Sequence, residues 1–242
     1  MSAWQALFWG GFSSAALYIG EALARPMAKM LQATGLVMGF GAGTLLSAIA
    51  YELVPDSSLD QSAKLAVGFG LGAMAYFVGD RIIDRGGGQD RQMIHTADEN
   101  GSGAAMFLGA LLDGLPEAFV LGIGIQLGGA ISVAFVAAVF VSNIPQGIAG
   151  TTSLKDAGYA DRTVFWMWTA LTAAAALTAL LGYAVGDMVA SNGIYAQAFA
   201  AGAVLTMLAD SMMPEAFEHG GKWVGVLTAL GYAVATGLTV LQ

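Results

Sequence analysis

The chain has 242 residues, of which 57% are hydrophobic and 11% are charged, and its formal net charge is −8. Because soluble domains average about 25% charged residues, this composition excludes an ordinary soluble domain and indicates a membrane protein. The acidic balance offers no basic surface for nucleic acid and suits a pathway for cations. The lack of cysteine excludes disulfides and thiolate metal sites.

Eight apolar segments follow one another along the chain, each about 20 residues long or slightly longer, which is enough to cross roughly 30 Å of lipid. The first is expected to be retained, because the Met1 end lacks the basic region and cleavage site of a signal peptide. The pattern predicts an all-α, polytopic protein that forms a single membrane domain over residues 1–242. The predicted spans are 3–24, 33–55, 63–83, 102–126, 129–152, 163–187, 193–217 and 222–241.

The distribution of lysine and arginine predicts the orientation in the membrane. With the N-terminus outside, only Lys64 falls in an outer loop, which favours eight spans with both termini outside. We therefore expect an integral protein of a bacterial inner (cytoplasmic) membrane. The basic residues of the inner loops are Arg25, Lys29, Arg81, Arg85, Arg91, Lys155, Arg162 and Lys222.

The longest polar segment, 84–101, joins the third and fourth spans and is rich in glycine and charge. It is predicted to be a flexible cytoplasmic loop. His95, Asp98 and Glu99 lie within it and could bind metal weakly, but a lone histidine in a mobile loop is more often only solvated.

The fourth span carries two acids inside an apolar stretch. Asp113 and Glu117 are four residues apart and share one face of a helix. A carboxylate at mid-membrane costs about 2.5–3.5 kcal/mol on insertion scales, so such acids indicate a functional site. Pro116 lies between them and should release the Leu112 carbonyl from its helical hydrogen bond. Two acids and a released carbonyl are suited to holding a cation within a helix bundle.

The fifth span carries a matching polar sequence, Ser-Asn-Ile-Pro-Gln-Gly, over residues 142–147. Relative to the proline, Ser142 corresponds to Asp113 and Gln146 to Glu117, while Asn143 adds an amide. Counted from Ser102 and Ile131, Asp113 and Ser142 each lie 11 residues along their spans, about 16 Å deep and close to the midplane. One shared pocket is therefore predicted, the alternative being two ordinary kinked helices whose polar groups are satisfied.

An internal repeat relates residues 40–57 to residues 199–216, at an offset of 159 and with Pro–acid at equivalent positions. In the eight-span arrangement the two helices run in opposite directions, as in the inverted repeats that flank transporter binding sites. We therefore predict that spans 1–3 and 6–8 form an inverted repeat around a central pair, spans 4 and 5. Chance agreement between helices rich in alanine and glycine is the alternative.

The repeat also places acids near both membrane faces. Asp56 and Asp60 would lie at the outer face, near an entrance. Asp210, Glu215 and His219 would lie toward the inner face, near an exit, with Glu215 and His219 four residues apart. Helix capping and interfacial solvation explain the same residues about as well.

These features resemble the ZIP (Zrt/Irt-like) family of divalent metal transporters, as a divergent member. The resemblance covers nearly the whole chain: eight spans, outside termini, a long loop after the third span, and glycine-rich second and seventh helices ending in proline and an acid. The family's fourth-span motif, His-Asn-x-Pro-Glu-Gly, aligns with Asp-Gly-Leu-Pro-Glu-Ala at residues 113–118. Its similar fifth-span motif, often with histidine or glutamine first and glutamate after the proline, aligns with residues 142–147.

The resemblance implies metal transport, with departures at the site. Asp113 replaces the family's histidine, Gly114 its asparagine and Gln146 its usual glutamate. The sixth span lacks the bridging glutamate of some members, and the loop lacks their histidine run. One metal ion, bound by Asp113, Glu117, Asn143 and Gln146 with assistance from Ser142, is therefore expected rather than two.

The ligand types bear on the identity of the ion. Zinc favours nitrogen and sulfur ligands, whereas this pocket offers carboxylates, amides, a hydroxyl and carbonyls. Oxygen ligands suit harder ions such as Mn²⁺ or Mg²⁺. The expected substrate is thus zinc or one of these harder ions, and no organic cofactor is predicted.

The leading hypothesis is a transporter that binds a divalent cation at mid-membrane and opens to each side in turn. The alternative is a non-transporting membrane protein on a ZIP-like scaffold, acting as a metal sensor or an assembly partner. A hydrolase is disfavoured, because Ser13, Ser14 and Ser47 have no partnering base in any span. Small-residue faces such as Gly68-x-x-x-Gly72 are compatible with a homodimer and equally with packing inside one protomer.

Overall fold

The computed structural model describes residues 2–27, 30–53, 62–86, 103–128, 132–188 and 194–241, and all regular structure within these ranges is helical. Two short π-helical segments continue helices of the second and seventh spans. The elements are α1 (Ala3–Ser14), α2 (Ala16–Met27), α3 (Leu31–Ala48), the first π segment (Ile49–Leu53), α4 (Ser62–Arg85), α5 (Gly103–Gly128), α6 (Val133–Asp156), α7 (Asp161–Met188), α8 (Ile194–Met207), the second π segment (Leu208–Met212), α9 (Met213–Gly220) and α10 (Trp223–Val240).

The prediction of an all-helical fold is confirmed for the described residues, and the helices fit a polytopic membrane protein. Among the described residues, seven helical stretches are long and apolar enough to cross a membrane. The first predicted span differs from these, because it consists of two 12-residue helices, α1 and α2. The third span extends through Arg85, two residues into the segment predicted as a loop. The rest of that segment, including His95, Asp98 and Glu99, lies outside the described residues.

The interruption in the first span lies at Ala15. Its amide N–H is shared between the carbonyls of Gly11 and Phe12, at 2.9 and 3.1 Å. The Ser13 hydroxyl donates to the Gly10 carbonyl, 3.1 Å away. Such side-chain bonds to the preceding turn compete with the helical pattern and bend helices. The sequence Gly-Gly-Phe-Ser-Ser therefore divides a span that its hydropathy alone predicts to be continuous.

Large apolar side chains cover the outer surface of the helix bundle. Such side chains are rarely exposed together over a wide area of a soluble protein. On a membrane protein they face the lipid acyl chains, so this surface agrees with the span prediction. Prominent examples on different helices are Trp4, Phe8, Trp166, Leu177 and Trp223.

Four pairs of helices cross at close range through reciprocal glycines. At each crossing, a Cβ added to either glycine would collide with the backbone carbonyl of the residue three positions before the partner glycine. Small residues allow this approach in lipid, where helices associate through close packing and backbone contacts. The pairs are Gly20 with Gly147 (α2 and α6), Gly43 with Gly231 (α3 and α10), Gly72 with Gly202 (α4 and α8), and Gly122 with Gly182 (α5 and α7).

The small-residue faces noted in the sequence are thus used inside one protomer. Gly68 packs on Tyr195 and Gly72 on Phe199, both within the contact of α4 with α8. Gly182 packs on Phe119 in the same way, within the contact of α5 with α7.

The bundle can be divided into two groups of helices, which also pack extensively on each other through α3 with α6 and α8 with α5. The first group contains α1, α2, α5, α6 and α7, and the second contains α3, α4, α8, α9 and α10. The groups meet where Gly41 of α3 lies against the backbone of Ser142, and where Gly79 of α4 lies against Leu112. Span 4 packs most extensively on span 6, and span 5 on span 1.

Corresponding features of the second and seventh spans recur at one spacing. The first and second π segments begin at Ile49 and Leu208, which are 159 positions apart. Gly43 of α3 and Gly202 of α8 have the same spacing, and each lies against a neighbouring helix. Their partners Gly231 and Gly72 are also separated by 159 positions. This spacing equals the offset of the sequence similarity between residues 40–57 and 199–216.

Replacing Gly72 with alanine is expected to lower the free energy of unfolding by about 1–3 kcal/mol, because the new Cβ would overlap the Phe199 backbone. Gly70 on the same helix is the matched control, since a Cβ there meets nothing within 4 Å. Gly70→Ala should leave stability unchanged or raise it, because alanine is the better helix former. Thermal unfolding in detergent measures both, and equal effects of the two variants would contradict the crossing.

Candidate cation site

A small buried cavity lies between α2, α5, α6 and α7. The space open to the centre of a water molecule is about 10 Å³, roughly the room needed for one water molecule or one small ion. Three of the five residues predicted to bind metal line this cavity together. The lining residues are Leu17, Ala110, Asp113, Asn143, Gln146, Trp168 and Leu171.

The α2–α6 crossing fixes the α6 side of the cavity. Gly147 allows the carbonyl of Leu17 to approach, with an added Cβ only 2.6 Å from it. This contact sets the cavity-lining Leu17 beside the turn that carries Asn143 and Gln146. The indole of Trp168 donates to Thr151 at 2.9 Å, which fixes the α7 wall against α6.

Asn143 presents its amide in a defined orientation. Its nitrogen donates to the Val139 carbonyl at 2.9 Å and to the Ser13 carbonyl at 3.4 Å. The second acceptor belongs to the turn that is interrupted at Ala15. Because the nitrogen is used in these two bonds, the side-chain oxygen is the group that remains for a ligand in the cavity.

Asp113 is buried and accepts a hydrogen bond from the hydroxyl of Tyr76 on α4, with 2.5 Å between the oxygens. The same hydroxyl lies 3.4 Å from the hydroxyl of Ser211, in the second π segment. Asp113 therefore belongs to the cavity within the first group and contacts a residue of the second group.

Glu117 is only 1% exposed. Among the described residues, neither of its carboxylate oxygens has a hydrogen-bond partner. The side-chain nitrogen of Gln146 and the hydroxyl of Thr172 are likewise buried without a partner there. A buried polar group costs free energy unless it is hydrogen-bonded, so each of these groups is a candidate to interact with a bound ligand.

The two prolines do not break their helices. Pro116 lies inside α5 and Pro145 inside α6, and both helices continue for at least two turns beyond. Because proline has no N–H, the carbonyls of Leu112 and Val141 cannot receive the helical bond from these positions. The two carbonyls therefore lose these helical hydrogen bonds although both helices remain continuous.

Ser142 lies on a different face of α6 from the cavity. Its hydroxyl donates to the Val139 carbonyl at 2.9 Å, and its backbone is the surface against which Gly41 packs. It therefore lies at the junction of the two groups and does not line the cavity beside Asn143.

Three of the five residues predicted near the membrane faces are described by the structure, and none of these three lines the cavity. Asp56 and Asp60 lie outside the described residues. Asp210 is exposed in the second π segment. Glu215 and His219 are largely buried and contact one another, with 3.1 Å between Oε1 and Nδ1. Of the residues predicted near the membrane faces, the structure thus brings Glu215 and His219 together.

The donor set limits what the cavity can do. In the described part of the chain, no three residues among histidine, cysteine, aspartate and glutamate are grouped so that they could hold a metal ion. Asp113 and the amides of Asn143 and Gln146 line the cavity, whereas Glu117 does not line it and lies one helical turn away on α5. Together these residues would supply two carboxylates and two amides, all of them oxygen donors when the Gln146 amide turns its oxygen inward. Such a set can neutralise and coordinate one divalent cation that prefers oxygen ligands.

Tyr76 is the site residue that the sequence analysis missed. The signal was present, because a tyrosine in the middle of a predicted span must find a partner for its hydroxyl in a region without water. Spacing could not identify that partner, since Tyr76 and Asp113 lie on helices separated by the long polar segment.

Comparison with known proteins leaves the family open. No model of a known protein family matches this sequence, and no significantly similar sequence was found among characterised proteins. The site must therefore be interpreted from its own chemistry.

Glu117→Met is expected to raise the thermal stability of the metal-free protein, because it replaces an unpartnered buried carboxyl with an apolar side chain of similar length. Asp113→Leu should lower stability, since it leaves the buried Tyr76 hydroxyl without its acceptor. Unfolding in detergent with a chelator present measures both changes. Equal destabilisation by the two variants would show that Glu117 has a structural partner.

Proposed function

We propose that this protein transports a divalent metal cation across the membrane, binding one ion at mid-membrane. The ion would be bound by Asp113 and Glu117 of α5, with Asn143 and Gln146 of α6 completing its coordination. The observation that carries this proposal is the burial of Glu117 with both oxygens unpartnered, one helical turn from a second buried acid. Two adjacent acids in an apolar interior are costly, and a visiting cation offsets that cost.

The cavity supports a small, hard ion as the substrate. Its polar lining consists of Asp113, Asn143 and Gln146, and the described residues place neither histidine nor cysteine there. Zinc sites in proteins favour nitrogen and sulfur ligands, whereas Mn²⁺ and Mg²⁺ accept carboxylate and amide oxygens. We therefore favour Mn²⁺ or Mg²⁺ over Zn²⁺ and propose no organic cofactor.

An inverted repeat is the proposed basis of the architecture. The recurring offset of 159 relates α3 to α8 and α4 to α10, together with their glycine crossings and π segments. Gly68 contacts Tyr195 and Gly72 contacts Phe199, so residue numbers increase in the same direction along both helices. Helix α8 therefore runs parallel to α4. Because α4 returns across the membrane after α3, α8 is inverted relative to its counterpart α3.

Alternating access would then involve movement between helix groups. Each of the four reciprocal glycine crossings joins two helices of the same group at backbone contact. The cavity belongs to the first group, while Tyr76 and Ser211 approach it from the second. Displacement of the groups past each other would expose the ion to one side and then to the other.

The motif alignments of residues 113–118 and 142–147 support membership of the ZIP family, as a divergent member. The distribution of lysine and arginine supports an orientation with both termini outside, which we assign to a bacterial inner membrane. The arrangement of Asp113, Asn143 and Gln146 around one cavity agrees with those alignments. A homodimer is compatible with the exposed apolar surface but adds no residue to this site.

A second candidate is a membrane protein that binds metal or a partner without transport. It is favoured by the small donor set, since the described residues contain no group of three metal-binding side chains of the histidine, cysteine, aspartate and glutamate types. Thermal unfolding with Zn²⁺, Mn²⁺, Mg²⁺, Cd²⁺ and Fe²⁺ separates the candidates. No stabilisation by any ion would favour an assembly role, and stabilisation without vesicle uptake would favour a sensor.

Asp113→Asn and Glu117→Gln are each expected to reduce metal uptake into proteoliposomes by at least about tenfold, because loss of even an outer partner of a metal ligand typically weakens binding to that extent. Asp161→Asn is the control, since it removes one negative charge from an exposed pair with Arg25 and Lys155. Undiminished uptake by both acid variants would refute the proposed site.

Gln146→His is expected to shift ion preference toward zinc, because it adds a nitrogen ligand to the cavity wall. Competition between Zn²⁺ and Mn²⁺ for binding to the purified protein measures the shift. Gln126→His, on α5 but beyond the cavity lining, provides the control. An unchanged ratio of affinities in Gln146→His would place the ion away from this side chain.

A further inference from the structure

We propose that Tyr76 is a positioning residue for the cation site, acting by hydrogen-bonding one oxygen of Asp113 so that the carboxylate keeps its orientation toward the cavity. The inference rests on the proposed function and extends it to a residue outside the family motifs. It also assigns Ser211 as the side chain that holds the Tyr76 hydroxyl in place.

The geometry places the Tyr76 hydroxyl between the two helix groups. The side chain is 1% exposed, and its hydroxyl donates to Oδ1 of Asp113. The hydroxyl also lies 3.4 Å from Oγ of Ser211. Asp113 itself lines the cavity with Asn143 and Gln146. The Asp113 carboxylate thus accepts a hydrogen bond from Tyr76 of the second group and also lines the cavity within the first group.

A hydroxyl and a cation can be bound to the same carboxylate. An ionised carboxylate offers about four lone-pair positions on its two oxygens, so the Tyr76 bond uses one and leaves others for metal. Carboxylates that ligate metals are commonly fixed by such outer hydrogen bonds, and loss of the outer partner weakens metal binding about 10–100-fold. Asp113 and Glu117 differ in this respect, because Glu117 lacks any partner among the described residues.

The location of Ser211 supports a positional role. It lies in the second π segment, where the extra residue per turn redirects side chains relative to an α-helix, a feature frequent at functional sites. Its hydroxyl faces a tyrosine that already has a carboxylate acceptor. The chain Ser211–Tyr76–Asp113 therefore joins the second π segment, α4 and α5 at the level of the cavity.

The experiment compares Tyr76→Phe with the wild-type protein in metal binding and proteoliposome uptake, using Mn²⁺ as the probe. Removing only the hydroxyl is expected to raise Kd and KM for Mn²⁺ about 10–100-fold. Ser211→Ala should also raise Kd and KM for Mn²⁺, by a smaller factor. It replaces Tyr76→Phe as the test variant if Tyr76→Phe does not fold. Tyr18→Phe is the control, because it removes a tyrosine hydroxyl bonded to Thr169 at 2.9 Å, outside the site.

A double-mutant cycle separates positioning from general stabilisation. If Tyr76 acts through Asp113, adding Tyr76→Phe to Asp113→Asn should change Kd little further. A purely structural role would instead lower the unfolding temperature and leave the Kd of the folded protein unchanged, as in Tyr18→Phe. That result, or full additivity in the cycle, would overturn the inference.

The same measurements distinguish this inference from the proposed function. Wild-type protein that neither binds nor transports any divalent ion would overturn both. Wild-type binding that is lost in Asp113→Asn but unchanged in Tyr76→Phe and Ser211→Ala would keep the transporter and remove only the role of Tyr76.

Discussion

Close backbone contact between helices is the constraint on which this structure depends. In lipid, apolar side chains gain nothing from leaving their surroundings, so helices associate through packing and contacts between backbones. Four reciprocal glycine pairs supply such contacts, each placing a glycine against a carbonyl of the facing helix. Larger residues at these positions would separate the helices, and with them the polar side chains that meet between the helices. The glycine content is therefore a structural requirement of this bundle rather than a mark of flexibility.

The geometry of the candidate cation site follows from those contacts. The pair Gly20 and Gly147 brings α2 against α6, so that Leu17 closes the cavity beside Asn143 and Gln146. The same region of α1 and α2 contains the interruption at Ala15, whose neighbouring Ser13 carbonyl accepts a bond from the Asn143 nitrogen. Packing thus limits both the size of the cavity and the orientation of an amide that lines it. A pocket with room for about one water molecule, as this one has, could admit an ion only after most of its hydration water is lost, which costs Mg²⁺ more than larger divalent ions.

The helices and much of the site could be predicted because they depend on local features of the sequence. Hydropathy predicts the spans, and helical spacing with two prolines places Asp113 near Asn143 and Gln146. Ser142 shows the limit of that reasoning, since its offset from proline matches Asp113 while its hydroxyl bonds to its own helix. Tyr76 shows another limit, because its bond to Asp113 depends on how α4 packs on α5, which no periodicity encodes. The interruption at Ala15 arises from hydrogen bonds of Gly10, Gly11 and Ser13 that a hydropathy average cannot register.

The two buried acids of α5 differ in their hydrogen-bond partners. Asp113 has a hydroxyl donor and lines the cavity, whereas both oxygens of Glu117 are unpartnered within the described structure. A protein selected only for stability would replace the second carboxyl with an apolar side chain, because buried ionisable groups seldom repay their desolvation. Retaining the Glu117 carboxyl is reasonable in the proposed transporter, because the cation-free and cation-bound states of the site must both be accessible. In the proposed transporter, Asp113 would be kept in position by the Tyr76 hydroxyl, and Glu117 would gain a partner only when a cation binds.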